Sequence, residues 1–170
     1  MISAVRFIPL ILSLATAFPA MALAAPVPAS PSPPARAAIM RPLTMLKIAD
    51  LDFAGLAVTT GGTATISPTT GLMTVSPGLM RLTGTPSPAR FRGAASRLAI
   101  VLIRIPGTVA IRRVGGTQTL IVDQFTLSGG AIRIVGTTPF DFAVGARLTG
   151  PVGTVEGTYT GQMNVTIEYF

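Results

Sequence analysis

Six carboxylates carry what acid–base chemistry this 170-residue chain can offer: Asp50, Asp52, Asp123, Asp141, Glu156 and Glu168. There is no His and no Cys. Without imidazole, neither a Ser-His-Asp nor a Cys-His arrangement can form. Without Cys and His, the usual zinc and iron ligand sets cannot be built. Asp50 and Asp52 stand two apart and could turn the same way toward a calcium ion. Calcium needs six or more oxygens, however, and no further acid lies close in sequence. A turn or strand-break role suits them better. Glu156 and Glu168 would lie about 40 Å apart along an extended strand, far beyond the spacing of a glycosidase pair. The expectation is a non-enzymatic protein with no catalytic residue, no cofactor and no metal site.

The basic residues are the other chemical resource. The net charge is +7, and Arg90, Arg92, Arg97, Arg104, Arg112, Arg113, Arg133 and Arg147 could form a basic patch, with Arg90, Arg92, Arg112 and Arg113 the candidates for a face that binds anionic glycan. Arg90 and Arg92 are two apart and so share one side of a strand. A merely solvated basic face is the simpler reading. Aromatic stacking partners are sparse, with eight Phe, two Tyr and no Trp, so nucleic acid is not an expected partner.

The start of the chain reads as an export leader over residues 1–24. Arg6 supplies charge, Phe7 to Ala17 is apolar, and Ala22-Leu23-Ala24 fits a cleavage site before Ala25, with cleavage after Ala22 as the runner-up. The apolar run is too short to span a bilayer, so no transmembrane span is expected after cleavage. The destination would be the periplasm, the cell surface or the medium. Residues 25–42 include Pro26, Pro28, Pro31, Pro33 and Pro34 and read as a semi-rigid linker. Residues 43–170 then form one domain.

Within that domain short apolar stretches alternate with Gly, Pro and Ser-Gly signals. Pro68-Thr69-Thr70-Gly71 and Gly115-Gly116 read as hairpin turns. Ala89 to Arg92 places Phe91 inward and both arginines outward. Leu98 to Ile105 is apolar on both faces, as in a central strand, and its β-branched content and the Pro106-Gly107 stop argue against a helix. Phe140, Phe142, Val144, Ala146 and Leu148 alternate with smaller or polar residues. No segment keeps a 3.6-residue apolar period. The fold expected is all-β, an immunoglobulin-like or pilin-like sandwich of about seven to nine strands. A membrane β-barrel is the rival architecture. Counting back from Phe170 in steps of two meets Glu168, Thr166, Asn164 and Gln162, which a lipid-facing strand would not carry.

The last fourteen residues hold the cleanest pattern. Tyr159, Gly161, Met163, Val165, Ile167 and Tyr169 alternate with polar residues, so a single closing strand is expected.

Three segments resemble the bacterial secreted proteins of domain-of-unknown-function family 4402. They are Asp50-Leu51-Asp52-Phe53, with Ala54 where that pattern has Gly, then Pro88-Ala89-Arg90-Phe91, and Gly157-Thr158-Tyr159-Thr160-Gly161. The resemblance covers roughly residues 40–170. It implies an exported β-sandwich, related in style to pilin subunits, and no established activity. Gly157, Tyr159, Met163, Val165, Ile167 and Tyr169 also resemble the closing strand of chaperone–usher pilins, with Gly fourteen from the end and a penultimate Tyr. That likeness implies assembly by strand addition, with a second copy or a periplasmic chaperone as partner. An ordinary final strand packed in its own core shows the same alternation. Such pilins often hold a disulfide and a clean N-terminal donor strand. Here Cys is absent, and Pro42 interrupts Ile39 to Ile48, where apolar residues occupy both parities.

The function expected is a structural subunit or accessory of a surface appendage or envelope layer. The alternative is a monomeric secreted module that binds anionic envelope glycans through the Arg face.

Overall fold

The computed structural model describes residues 36, 37 and 39–170. The expected leader and most of the expected linker lie outside the described residues.

Thirteen strands and no helix make up the described chain. The first is β1 (Thr44–Ala49), followed by β2 (Leu56–Val58), β3 (Gly62–Ile66), β4 (Met73–Val75), β5 (Leu79–Arg81) and β6 (Ala89–Ala94). Next come β7 (Ile100–Arg104), β8 (Thr108–Arg113), β9 (Thr119–Leu127) and β10 (Ile132–Ile134). The chain closes with β11 (Phe140–Gly150), β12 (Tyr159–Thr160) and β13 (Thr166–Tyr169). The all-β expectation stands, and the arrangement is that of a β-sandwich. The strand count exceeds the expected seven to nine because two stretches read as single strands are each cut in two and because β4, β5 and β10, of three residues each, stand as separate strands.

The larger sheet has eight strands, in the order β1-β6-β11-β9-β8-β12, with β3 and β4 joined to it through β11. A second sheet has the order β10-β7-β13, and a small ribbon pairs β2 with β5. Every described pairing is antiparallel. The large sheet branches at β11, but no strand order returns on itself, so among the described residues no sheet closes into a barrel.

β11 is the longest strand and the axis of the large sheet. On one side β6 pairs with Phe140–Val144 and β3 with Arg147–Gly150; on the other runs β9. Its alternation puts Phe142, Val144, Ala146 and Leu148 in the core. Phe142 stacks on Phe91 of the neighbouring strand at 5.1 Å between ring centres. That pair joins Ala89, Ile103 and Val144 in one buried cluster. Aromatic pairs at such spacing add to the stabilisation from burial alone.

Both hairpin expectations hold. Ser67 N–H donates to Leu72 O and Gly71 N–H to Ser67 O around the Pro68–Gly71 turn, closing β3 onto β4. Arg113 N–H donates to Gln118 O across the Gly115-Gly116 turn, closing β8 onto β9.

Leu51 to Val58 departs from the expected continuation of the first strand. Only Leu56–Val58 is a strand. Residues 50–55 leave the ladder because Leu51 and Phe53 fill the centre of the sandwich. Leu51 packs against all three buried clusters and Phe53 against two. Asp52 anchors the excursion: its backbone pairs with Ser87 in both directions, and its carboxylate accepts from Ala54 N–H at 2.7 Å. Ala54 then sits at φ 55°. This left-handed conformation suits Gly and strains a residue with a Cβ, which accounts for Gly at that point of the related pattern.

Candidate assembly strand and basic face

The closing segment is two strands rather than one. β12 pairs with β8, Tyr159 opposite Arg113 and Thr160 opposite Arg112. β13 pairs with β7, from Thr166 opposite Arg104 to Tyr169 opposite Val101, and Phe170 N–H adds a bond to Ile100 O at 2.9 Å. Between them the chain passes from the large sheet to the small one. Gly161 makes the passage tight. A Cβ there would meet Ile111 Cγ2 at 2.8 Å and Ala110 O at 3.1 Å. Only a residue without a side chain lets the backbone lie so close to β8.

The parity of the segment survives the break. Tyr159, Met163, Val165, Ile167 and Tyr169 are half-buried, while Thr160, Gln162, Asn164, Thr166 and Glu168 are exposed. Met163, Val165 and Ile167 pack against the Phe91–Phe142 cluster, and Tyr159 packs against Leu120, Val122, Ala146 and Leu148. The segment therefore covers its own core, and none of its side chains is fully enclosed. β12 and β13 each end a sheet order, so each has one free edge among the described residues.

Two residues of the pilin-like pattern have local structural reasons. Gly157 has φ 149°, and a Cβ there would stand 2.6 Å from Arg113 Nε. That nitrogen donates instead to Glu156 O at 2.7 Å. Tyr169 is a clasp: its hydroxyl accepts from Ser96 N–H at 3.1 Å and donates to Arg41 O at 2.7 Å. Arg41 N–H donates in turn to Ser96 Oγ at 2.6 Å. The end of the domain is thus tied to its beginning.

The four arginines do not converge. Arg90 and Arg92 lie on β6, while Arg112 and Arg113 lie on β8, with β11 and β9 between them. Three strand spacings separate the two pairs by about 14 Å. Arg90 and Arg92 share an exposed side as expected. Arg92 is held by Asp141 through two bonds of 2.7 and 2.8 Å. The hydrogen bonds from Arg92 hold the Asp141 carboxyl below the usual carboxylate range. Arg147 grips Asp123 the same way, at 2.9 Å twice, and lowers its pKa. Arg112 donates Nε to Gly116 O at 2.9 Å. Arg112 and Arg113 line a shallow surface depression with Gly115, Gly116, Thr117 and Thr160.

Arg133, a member of the expected basic patch, is instead turned onto its own fold. Its guanidinium donates to the carbonyls of Ser128, Gly130 and Asp141 and lies 5.7 Å from the ring centre of Phe142. Burial pushes its pKa down. The Gly129-Gly130 turn three residues earlier was the available signal.

Asp50, Asp52 and Glu168 are engaged separately. Asp50 meets Lys47 Nζ at 2.6 Å, Asp52 caps Ala54, and Glu168 meets Arg104 Nε at 2.5 Å. Among the described residues no three acids, His or Cys gather as a metal-binding group. No described helix is long and apolar enough to cross a membrane.

A family model described as "Domain of unknown function (DUF4402)" matches residues 43–169. No curated protein and no solved structure matches the chain.

Proposed function

From the premise that this chain belongs to the DUF4402 family, whose description names no activity, we propose a non-enzymatic structural role in the cell envelope. The protein is exported by its leader and acts as a subunit or accessory of a surface appendage or envelope layer. It joins its partner by main-chain pairing along the closing segment. The observation that carries this reading is the half-covered state of that segment. Five alternating side chains sit at the margin of the core, and three of them, Tyr159, Ile167 and Tyr169, lie on strands that each keep a free edge among the described residues. A free edge is a template for another strand, and incompletely enclosed side chains leave room for a partner's. The partner would be a second copy or a periplasmic chaperone.

The test is the size of the protein recovered from its native envelope, by light scattering and by gel before and after boiling in detergent. Strand-added assemblies should give a ladder that resists detergent and collapses on boiling. A monomer under every condition would overturn the reading.

A second reading has one observation of its own. Arg112 and Arg113 have their Nε atoms fixed on backbone carbonyls beside Thr117 and Thr160, which leaves their outer nitrogens to meet an anionic glycan. Salt separates the two readings, since only Arg-mediated binding weakens as salt screens it.

A further inference from the structure

β7 carries apolar residues on both faces, the pattern of a strand covered on both sides. Its inner face is covered: Val101 and Ile103 are at most 2% exposed. Its outer face is open, with Ile100 at 39%.

The register shows what surrounds that opening. Ile132 of β10 stands opposite Leu102, and Ile134 stands opposite Ile100. On the other side Glu168 stands opposite Leu102 and Thr166 opposite Arg104, while Phe170 bonds beside Ile100. Outward side chains therefore form a grid. One row is Ile134, Ile100 and Phe170; the next is Ile132, Leu102 and Glu168; Arg104 heads the third. Ile132, Ile134 and Phe170 are 57%, 73% and 76% exposed. A contiguous apolar tile of this kind marks an interaction surface.

We infer that this face of the β10-β7-β13 sheet is the interface of a two-fold dimer with a second copy of the chain. The charge layout selects that occupant. Arg104 and Glu168 lie at one corner, on either side of the diagonal through Ile134 and Leu102. A two-fold axis along that diagonal, in the plane between two facing sheets, sets Arg104 of each copy against Glu168 of the other. It also sets Ile100 against Ile132 and brings each Leu102 onto its counterpart. The strands of the two sheets then cross at about 70°, close to the orthogonal way for sheets to pack. The in-chain pair, 2.5 Å long and exposed on both partners, becomes a pair between copies without leaving an unmatched charge. Complete burial of the tile and its two charged neighbours would remove on the order of 1,400 Å² over both copies, an upper bound that falls within the range of stable interfaces. An isologous contact of this type closes at two copies. It is independent of strand addition at the free edges, which can propagate.

Sedimentation of the purified exported chain over a range of concentrations tests this. The wild type should pass from monomer to dimer and stop there. Ile134→Glu should weaken the dimer at least a hundredfold while leaving circular dichroism and melting of the monomer unchanged. Thr65→Glu, on the exposed side of β3 in the other sheet, should leave it intact. Arg104→Glu alone should weaken the dimer about tenfold, and Arg104→Glu with Glu168→Arg should restore it. A wild type that stays monomeric, or a dimer indifferent to Ile134→Glu, overturns the inference. So does a monomer that binds neutral phospholipid vesicles through this tile. Detergent-resistant ladders that persist in Ile134→Glu would report edge pairing alone, so the two assembly modes fail separately.

Discussion

On the outside of the eight-stranded sheet, cross-strand ion pairs join Arg92 to Asp141 and Arg147 to Asp123, Thr65, Thr74 and Thr149 stand among them, and exposed Leu46 and Ile121 lie singly beside Arg92 and Thr149. On the outside of the three-stranded sheet, the equivalent neighbours are Ile132 with Leu102 and Ile134 with Ile100. Both sets are in register and both stabilise their sheets by direct pairing. The first set is complete in water, because each charge already faces its opposite. The second still has apolar surface to lose. The inner halves of the two sheets are alike; their outer halves set the protein's relations with its surroundings.

The strongest way to test that division is to place one charge on each side of β7. Val101→Asp puts an unpaired carboxylate at a site with no exposure and should cost roughly 3 kcal/mol or more. Ile100→Asp, one residue earlier, should cost the monomer under about 1 kcal/mol, as surface changes generally do. Urea denaturation of the monomer measures both, and equal losses would mean that the faces of β7 are assigned wrongly.

A smaller contrast probes the closing segment. Val165 is half-buried against the Phe91–Phe142 cluster, so Val165→Asp should cost about 2 kcal/mol. Thr166 is exposed and stands opposite Arg104, so Thr166→Asp should be near neutral. The same denaturation curves decide this; similar losses would remove the inward-outward assignment of the closing segment.

The smallest effect belongs to the ion-paired face. Hydrogen bonds from Arg147 and Arg92 lower the pKa of Asp123 and of Asp141. A lowered folded-state value means stability that is fully present above the unfolded carboxylate pKa, near 3.9. That stability is lost as pH falls through the lower folded values. Thermal melts should therefore be flat from neutral pH to about 5 and fall in stronger acid. Replacing both acids by Asn should shallow the acid limb; an unchanged limb would show that these exposed pairs contribute nothing.

Much of this was written in period-2 alternation. The inward Phe91 between outward arginines, the inward row of β11 and both hairpins follow from parity and turn residues that act over a few positions. The break at Gly161 does not. Met163, Val165 and Ile167 look inward whether the chain stays in one sheet or crosses between two, so parity alone cannot reveal the crossing. The excursion of Leu51 and Phe53 is hidden for a similar reason, since an apolar residue that plugs a core reads like one that lines a strand. The Arg92–Asp141 pair spans 49 positions, and only the register of β6 on β11 brings it together. The candidate basic face was read from strand-local spacing, which says nothing about the two strands that separate Arg90 from Arg112.

The Tyr169 clasp has a mechanical consequence. Arg41 and Phe170 leave the domain at one corner, so tension applied between the two ends would not pass through the sandwich. It would fall first on the Tyr169 hydroxyl, then peel β1 from β6 and β13 from β7 one bond at a time. Under load this domain should yield from its margins while the layer around Phe91 and Phe142 stays shut.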